Sequence, residues 1–207
     1  MSRPKILQEN ESYTFRSYFE MNEEIDRILA ELGYQFSTER LSLPQVSQEL
    51  DFTADLKQRL ERLFPLIRLS NETSRRELLV SPILVEIALF CQCQVRIEYP
   101  LKVSDWLKGN LDYFLHLNRN FLVIEAKNDD LSRGFTQLSA ELIALSQAED
   151  CDVLYGAVTI GNLWQFGKLD RTEKRIIQDI ELFKVPGDLD LLVRVLVGIL
   201  RGENESE

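Results

Sequence analysis

The segment FLVIEAK at 121–127 places Phe121, Val123, Glu125 and Lys127 on one face of an extended strand and Leu122, Ile124 and Ala126 on the other. Both faces begin apolar, as in a central strand, and two charges then close one of them. A carboxylate at the end of a buried sheet costs several kcal/mol unless it is paired or bound to a cation. The preceding apolar segment, 110–117, carries a second carboxylate, Asp112. With Arg119-Asn120 as the two central turn residues, Asn118 stands opposite Phe121, and Asp112 falls opposite Lys127 and diagonal to Glu125. Asp112, Glu125 and Lys127 then share one face. Two carboxylates that close repel each other, and a hard divalent cation with oxygen ligands relieves the repulsion. Mg²⁺ held there, or Mn²⁺ in its stead, polarises a phosphodiester and activates water, while the Lys127 ammonium orients that water or offsets the developing phosphorane charge. The chemistry is metal-dependent phosphodiester hydrolysis.

The elements that must hold these side chains can be read from periodicity. Helical spacing runs over 18–32, stopped by Gly33, and over 51–64 before Pro65. A longer helix is predicted from Asn71 to about Cys93, with Pro82 inside it and Glu86 between Val85 and Ile87. The period then changes to strands at 95–103, 110–117 and 121–127, a helix at 131–147 with Phe135, Leu138, Leu142 and Leu145 on one face, and a strand at 152–160. A hairpin follows from Leu163–Phe166 to Arg175–Val185, and then a helix at 188–201, apolar on most of its circumference. The short turn at 118–120 requires an antiparallel pair, and the strand–helix–strand step suits a crossover. The fold class is therefore α/β, a mixed sheet flanked by helices. Residues 1–70 are expected as a helical N-terminal extension, and 71–207 as the α/β core with its C-terminal hairpin and helix. The final ENESE reads as a solvated tail.

The order of Glu86 in a helix, then Asp112, then Glu125-Ala126-Lys127, with Gln137 in the next helix, resembles the PD-(D/E)XK nuclease superfamily over about residues 74–167. The resemblance implies a restriction-endonuclease-like fold, in which Asp112 and Glu125 bind the metal, Glu86 assists them, the Ala126 carbonyl is a further ligand and Lys127 is the catalytic lysine. Gln137 with Glu141 is similar to the Gln-x-x-x-Tyr element of RecB-type nucleases, with Glu141 where Tyr is usual. Asn110-Leu111 precede Asp112 where that family often has Pro. An acid-x-Lys triplet alone carries little, since Asp55-Leu56-Lys57 is another, lying among the charges of an amphipathic helix.

The charge balance limits what such a site can act on. Lys and Arg number 24 against 34 Asp and Glu, for a net charge of −10, and the excess is spread along the chain. Polyanions gain no long-range attraction from the whole molecule, so DNA, the expected partner, needs a local basic surface. Arg119 and Arg133, with Lys168, Arg171, Lys174 and Arg175 around the GKLDRTEKR loop, are the candidates for phosphate contacts. The same acidity favours the alternative of a catalytically weak nuclease-fold protein acting as a binding or scaffolding subunit. The apolar helix at 188–201 suggests a homodimer or a partner subunit. Three cysteines, Cys91, Cys93 and Cys151, with a single histidine, His116, lack zinc-site spacing and suit a reducing cytoplasm. No run is long enough to span a membrane, and no secretory leader is evident.

Overall fold

The computed structural model describes residues 4–203, so residues 204–207 of the expected tail lie outside the described residues. In chain order the elements are α1 (Phe15–Glu20), α2 (Ile25–Glu31), β1 (Gln35–Glu39), α3 (Thr53–Leu63), α4 (Glu72–Arg75), α5 (Ser81–Cys91), β2 (Gln94–Lys102), β3 (Lys108–Leu117), β4 (Asn120–Ala126), α6 (Leu131–Ala148), β5 (Val153–Thr159), β6 (Leu163–Asp170), β7 (Arg175–Asp179), β8 (Phe183–Lys184) and α7 (Leu189–Arg201). The strands form one eight-stranded mixed sheet in the order β1-β7-β6-β5-β4-β3-β2, with β8 pairing β6. Only β1·β7 and β4·β5 are parallel; α6 makes the crossover between β4 and β5.

Alternation along the central strands sends apolar side chains to both faces, and helices cover both. Leu122, Ile124 and Tyr113 pack with α3, α5 and α7; Phe121, Val123 and Phe114 pack with α1, α2 and α6. Most of the apolar surface of α7 is spent inside its own chain, where Leu192, Val193, Leu196 and Leu200 are buried in the first of these cores. No described helix is long and apolar enough to cross a membrane.

The first 70 residues do not form a purely helical extension, and that expectation is corrected. Their short strand β1 joins the sheet edge in parallel with β7, α1 and α2 lie on the α6 side of the sheet, and Leu7, Phe15, Tyr18, Ile28 and Leu29 belong to the core. The single helix predicted over 18–32 is two, interrupted after Glu20, where Met21 turns extended. The predicted helix from Asn71 is also interrupted. Asn71 caps α4 by accepting from the Ser74 N–H at 2.8 Å, and the chain then widens into a π-turn over Arg76–Val80 before α5 begins.

Candidate active site

The site forms where β3 and β4 part company. Their ladder runs from Leu117↔Asn120 to Tyr113↔Ile124. The central turn residues are Asn118-Arg119 rather than Arg119-Asn120, because Asn118 takes the left-handed position at φ 55° that asparagine tolerates. Continuing this register puts Asp112 opposite Glu125 instead of Lys127. The slip moves the partner by two positions, an even number, and so keeps the face.

On the other side, Ile97↔Tyr113 and Tyr99↔Leu111 are paired in register, with Glu98 and Asp112 between them. Ile97 and Tyr113 line a groove beside α5, whereas Tyr99 and Leu111 belong to the opposite core. Both strands thus change face at Glu98 and Asp112, and Glu98 takes the left-handed φ of 52° that makes the change. Beyond this point the Ala126 N–H has no strand carbonyl from β3. Asp112 Oδ2 accepts it instead at 2.9 Å.

Asp112, Glu125, Lys127 and Gln137 line one cleft of about 510 Å³, with Phe19 and Arg16 of α1, Glu72 of α4, Arg76 of the π-turn, and Asn128 and Asp129 after β4. Glu125 is 1% exposed. Its Oε1 contacts Lys127 Nζ and accepts from Gln137 Nε2 at 2.6 Å. Gln137 Nε2 also donates to Glu141 Oε1 at 2.9 Å, one helical turn along α6. The Lys127 ammonium lies 4.9 Å from the centre of the Phe19 ring. Its stem passes under the start of α6, where a side chain at Gly134 would put Cβ 2.9 Å from Lys127 Cγ and 2.6 Å from Val158 Cγ2; glycine is what lets helix and strand approach there.

Burial dominates the electrostatics. It pushes the Glu125 carboxyl well above its ordinary range, reinforced by Glu141 and Asp112 and opposed by Lys127. Burial likewise lifts Glu141, to about 8. Burial also raises Asp112, against the pull of the Arg76 charge, the Ala126 N–H and Lys127. Lys127 is held above its usual value because Glu125 more than offsets the cost of burying the ammonium. Glu125 Oε2, Gln137 Oε1 and Glu141 Oε2 are buried without a hydrogen-bond partner. Adjacent carboxyl oxygens of this kind take either a proton or a cation. Among the described residues no three His, Cys, Asp or Glu side chains converge as a ready-made cage. Mg²⁺ does not need one, since it commonly binds one or two carboxylates and keeps several waters. The donor set of Asp112 and Glu125, with an unpartnered buried Glu125 oxygen, fits such an ion.

Other expected members lie elsewhere. Glu86 pairs with Arg59 of α3 and lines a separate pocket with Phe52, Asp55 and Gln58. It follows Arg76 by ten residues, about 15 Å along the helix axis, which removes it from the metal-assisting role. Of the helical carboxylates it is Glu72 that lines the cleft and acts on Asp112 and Lys127. The proposed phosphate contacts are corrected as well. Arg119 sits in the turn before β4, about 20 Å along the strand from Glu125. Lys168, Arg171, Lys174 and Arg175 flank the β6–β7 turn, and Asp170 there pairs with Val153 at the start of β5, the end of the sheet away from the cleft. Arg175 is paired with Glu39 and Arg171 with Asp150. Arg133, at the start of α6, is at the right end but opens on a neighbouring pocket with Glu23 and Glu24.

Sequence reasoning missed Glu72, Arg76 and Glu98. Glu72 and Arg76 carried one usable signal, their i, i+4 spacing just after the Asn71 cap. Glu98 carried none, because it falls on the polar positions of an alternating strand. Compared with family models, curated proteins and solved structures, the chain matches none.

Proposed function

We propose that the protein is a Mg²⁺-dependent nuclease-like phosphodiesterase acting on DNA, with a restriction-endonuclease-like core and Mn²⁺ able to replace Mg²⁺. The observation that carries this reading is the pair Asp112 and Glu125, on adjacent strands and lining one cleft, with Lys127 in contact with Glu125 Oε1 and the buried Glu125 Oε2 lacking a donor. Asp112 and Glu125 would hold the ion, with Glu72 near enough to contribute to its field. When bound, the ion supplies Lewis-acid polarisation of the phosphodiester and a more acidic water. The residues of the chain do the rest. Lys127, wedged between Glu125 and the Phe19 ring, holds an ammonium at a fixed point where it can orient the attacking water or meet charge on the phosphorane. Gln137 fixes the Glu125 carboxylate by donating to its Oε1.

The test is isothermal calorimetry with Mn²⁺ on the wild type and on Asp112→Ala, followed by cleavage assays on linear, circular, branched and single-stranded DNA. Saturable binding lost in the variant, with Mg²⁺-dependent cleavage, is the expected outcome; equal heats in both proteins would refute the reading. One observation favours a second reading, a binding or scaffolding subunit of low activity: the basic residues at the β6–β7 turn lie at the opposite end of the sheet from the cleft. In that case DNA or a partner binds with no dependence on Asp112.

A further inference from the structure

The guanidinium of Arg76 stands between carboxylates of two neighbouring strands. Its Nη1 donates to Glu98 Oε1 at 2.6 Å and to Asp112 Oδ1 at 3.3 Å. Its carbon lies 5.2 Å from the centre of the Tyr113 ring, and its Nε is buried without an acceptor. Two unusual backbone conformations converge on this contact. The helix widens into a π-turn that begins at Arg76, and Glu98, across the ladder from Asp112, sits at a positive φ that residues other than glycine avoid. Rare conformations of both kinds concentrate at working sites. Arg75, next to it, ties the same turn to the sheet by donating to the Ile160 carbonyl at 2.8 Å.

Arg76 spends one nitrogen, Nη1, on both carboxylates and keeps its buried Nε without an acceptor. Of the other basic residues lining the cleft, Lys127 is held against Glu125, and Arg16 pairs with Glu20 from a largely exposed side chain. Asp112 can release Arg76 without being stranded, because its other oxygen keeps the Ala126 N–H. A divalent ion on Asp112 and a guanidinium on the same carboxylate repel each other across a few ångströms of poorly screened space.

We propose that Arg76 and the divalent cation compete for Asp112, and that the displaced guanidinium, tethered by Glu98, binds a non-bridging oxygen of the phosphodiester. The inference rests on the metal-centred reading above and adds a substrate-binding residue to it. A planar fork of N–H donors matches phosphate in a way an ammonium does not. The same exchange makes phosphate binding depend on the metal, so that a polyanion is gripped only where a cation already sits.

The experiment pairs two binding measurements on wild type, Arg76→Met, Arg76→Lys and Glu98→Gln: Mn²⁺ affinity by electron paramagnetic resonance, and affinity for a short fluorescein-labelled DNA oligonucleotide in Ca²⁺ by anisotropy. Arg76→Met should bind Mn²⁺ several-fold more tightly and the oligonucleotide at least about tenfold more weakly. Arg76→Lys, which keeps the charge and preserves the fold where the methionine variant fails to, should leave Mn²⁺ affinity nearly unchanged and still weaken the oligonucleotide. Glu98→Gln should weaken the oligonucleotide alone. Mn²⁺ binding by Arg76→Met that is equal to or weaker than wild type overturns the competition, as does undiminished oligonucleotide binding by both Arg76 variants. A wild-type protein that binds no Mn²⁺ overturns the metal-centred reading itself.

Discussion

Replacing Glu141 by glutamine isolates the electrostatic cost of the buried carboxyl cluster. Glu141 is fully buried, and its Oε1 accepts from Gln137 while its Oε2 has no donor. Its carboxyl is lifted from an ordinary 4.5 to about 8, first by burial and then by the Asp112 charge, with the bonds to Gln137 and Glu125 opposing. A group that binds its proton more tightly in the folded than in the unfolded chain adds its full stability below the unfolded value, pH 4.5, and loses it as pH rises through the folded value near 8. At about 1.4 kcal/mol per tenfold change in proton affinity, full ionisation costs the fold on the order of 5 kcal/mol, and at pH 7 the loss is already roughly 3 kcal/mol. Glu141→Gln removes the titration, keeps an acceptor for Gln137, and brings an N–H₂ that can donate to the unpartnered Glu125 Oε2. In metal-free buffer the variant should therefore be more stable than wild type, by a margin that is small at pH 5 and grows to a few kcal/mol by pH 9. Urea unfolding followed by the fluorescence of the buried Trp164 measures it; because Glu141 also raises Glu125, the difference between the two proteins includes the relief of Glu125, which carries the same sign. A margin that does not change with pH, or a variant less stable than wild type at pH 9, would refute the assignment. Saturating Mg²⁺ should narrow the margin, since an ion on Glu125 stabilises the wild type by mass action and lowers the cost of ionising its neighbour.

Three further outcomes follow from the same geometry. Lys127→Met leaves Glu125 without its ammonium, and should cost about 3–5 kcal/mol without metal, with much of the loss recovered by Mg²⁺ in the same unfolding assay. Gly134→Ala forces Cβ to within 2.6 Å of Val158 Cγ2, and should destabilise by about 1–3 kcal/mol while lifting α6 from Lys127, seen as weaker Mn²⁺ binding. Glu86→Ala removes only an ion pair with a largely exposed Arg59; it should change stability by less than about 1 kcal/mol and leave Mn²⁺ affinity unchanged.

The sequence carried the centre of the site because charge is out of place there. Glu125 and Lys127 end an otherwise apolar strand, and Asp112 interrupts its hairpin partner. No packing argument explains such residues, so they stand out. The even slip in register left their common face untouched. Arg119 falls outside the site on the same reading, since it precedes the strand whose far end carries Glu125. What stayed hidden depended on departures from period. The π-turn at Arg76–Val80 leaves no trace in a pattern read at 3.6 residues per turn, and so an unbroken helix appeared to offer Glu86 where Glu72 and Arg76 in fact face the cleft. The strand β1, QFSTE, has one apolar residue, Phe36, and as an edge strand paired on one side it needs no more.

The cleft and its charges have one structural origin. β4 and β5 run parallel and α6 crosses over between them, so the carboxyl ends of both strands open beneath the start of that helix, where crossover folds leave a crevice. On the other flank, β3 would close the crevice if it stayed in register with β4 to its end. It does not, because β2 and β3 change face at Glu98 and Asp112. That change turns Asp112 toward Glu125, frees the Ala126 N–H to hold it, and brings Glu98 within reach of Arg76. The strained residue, the divergence of the strands and the concentration of carboxylates are thus a single feature. A chain with a regular β2–β3 ladder would have a better-paired sheet at this point, with no floor on which two carboxylates could meet a cation.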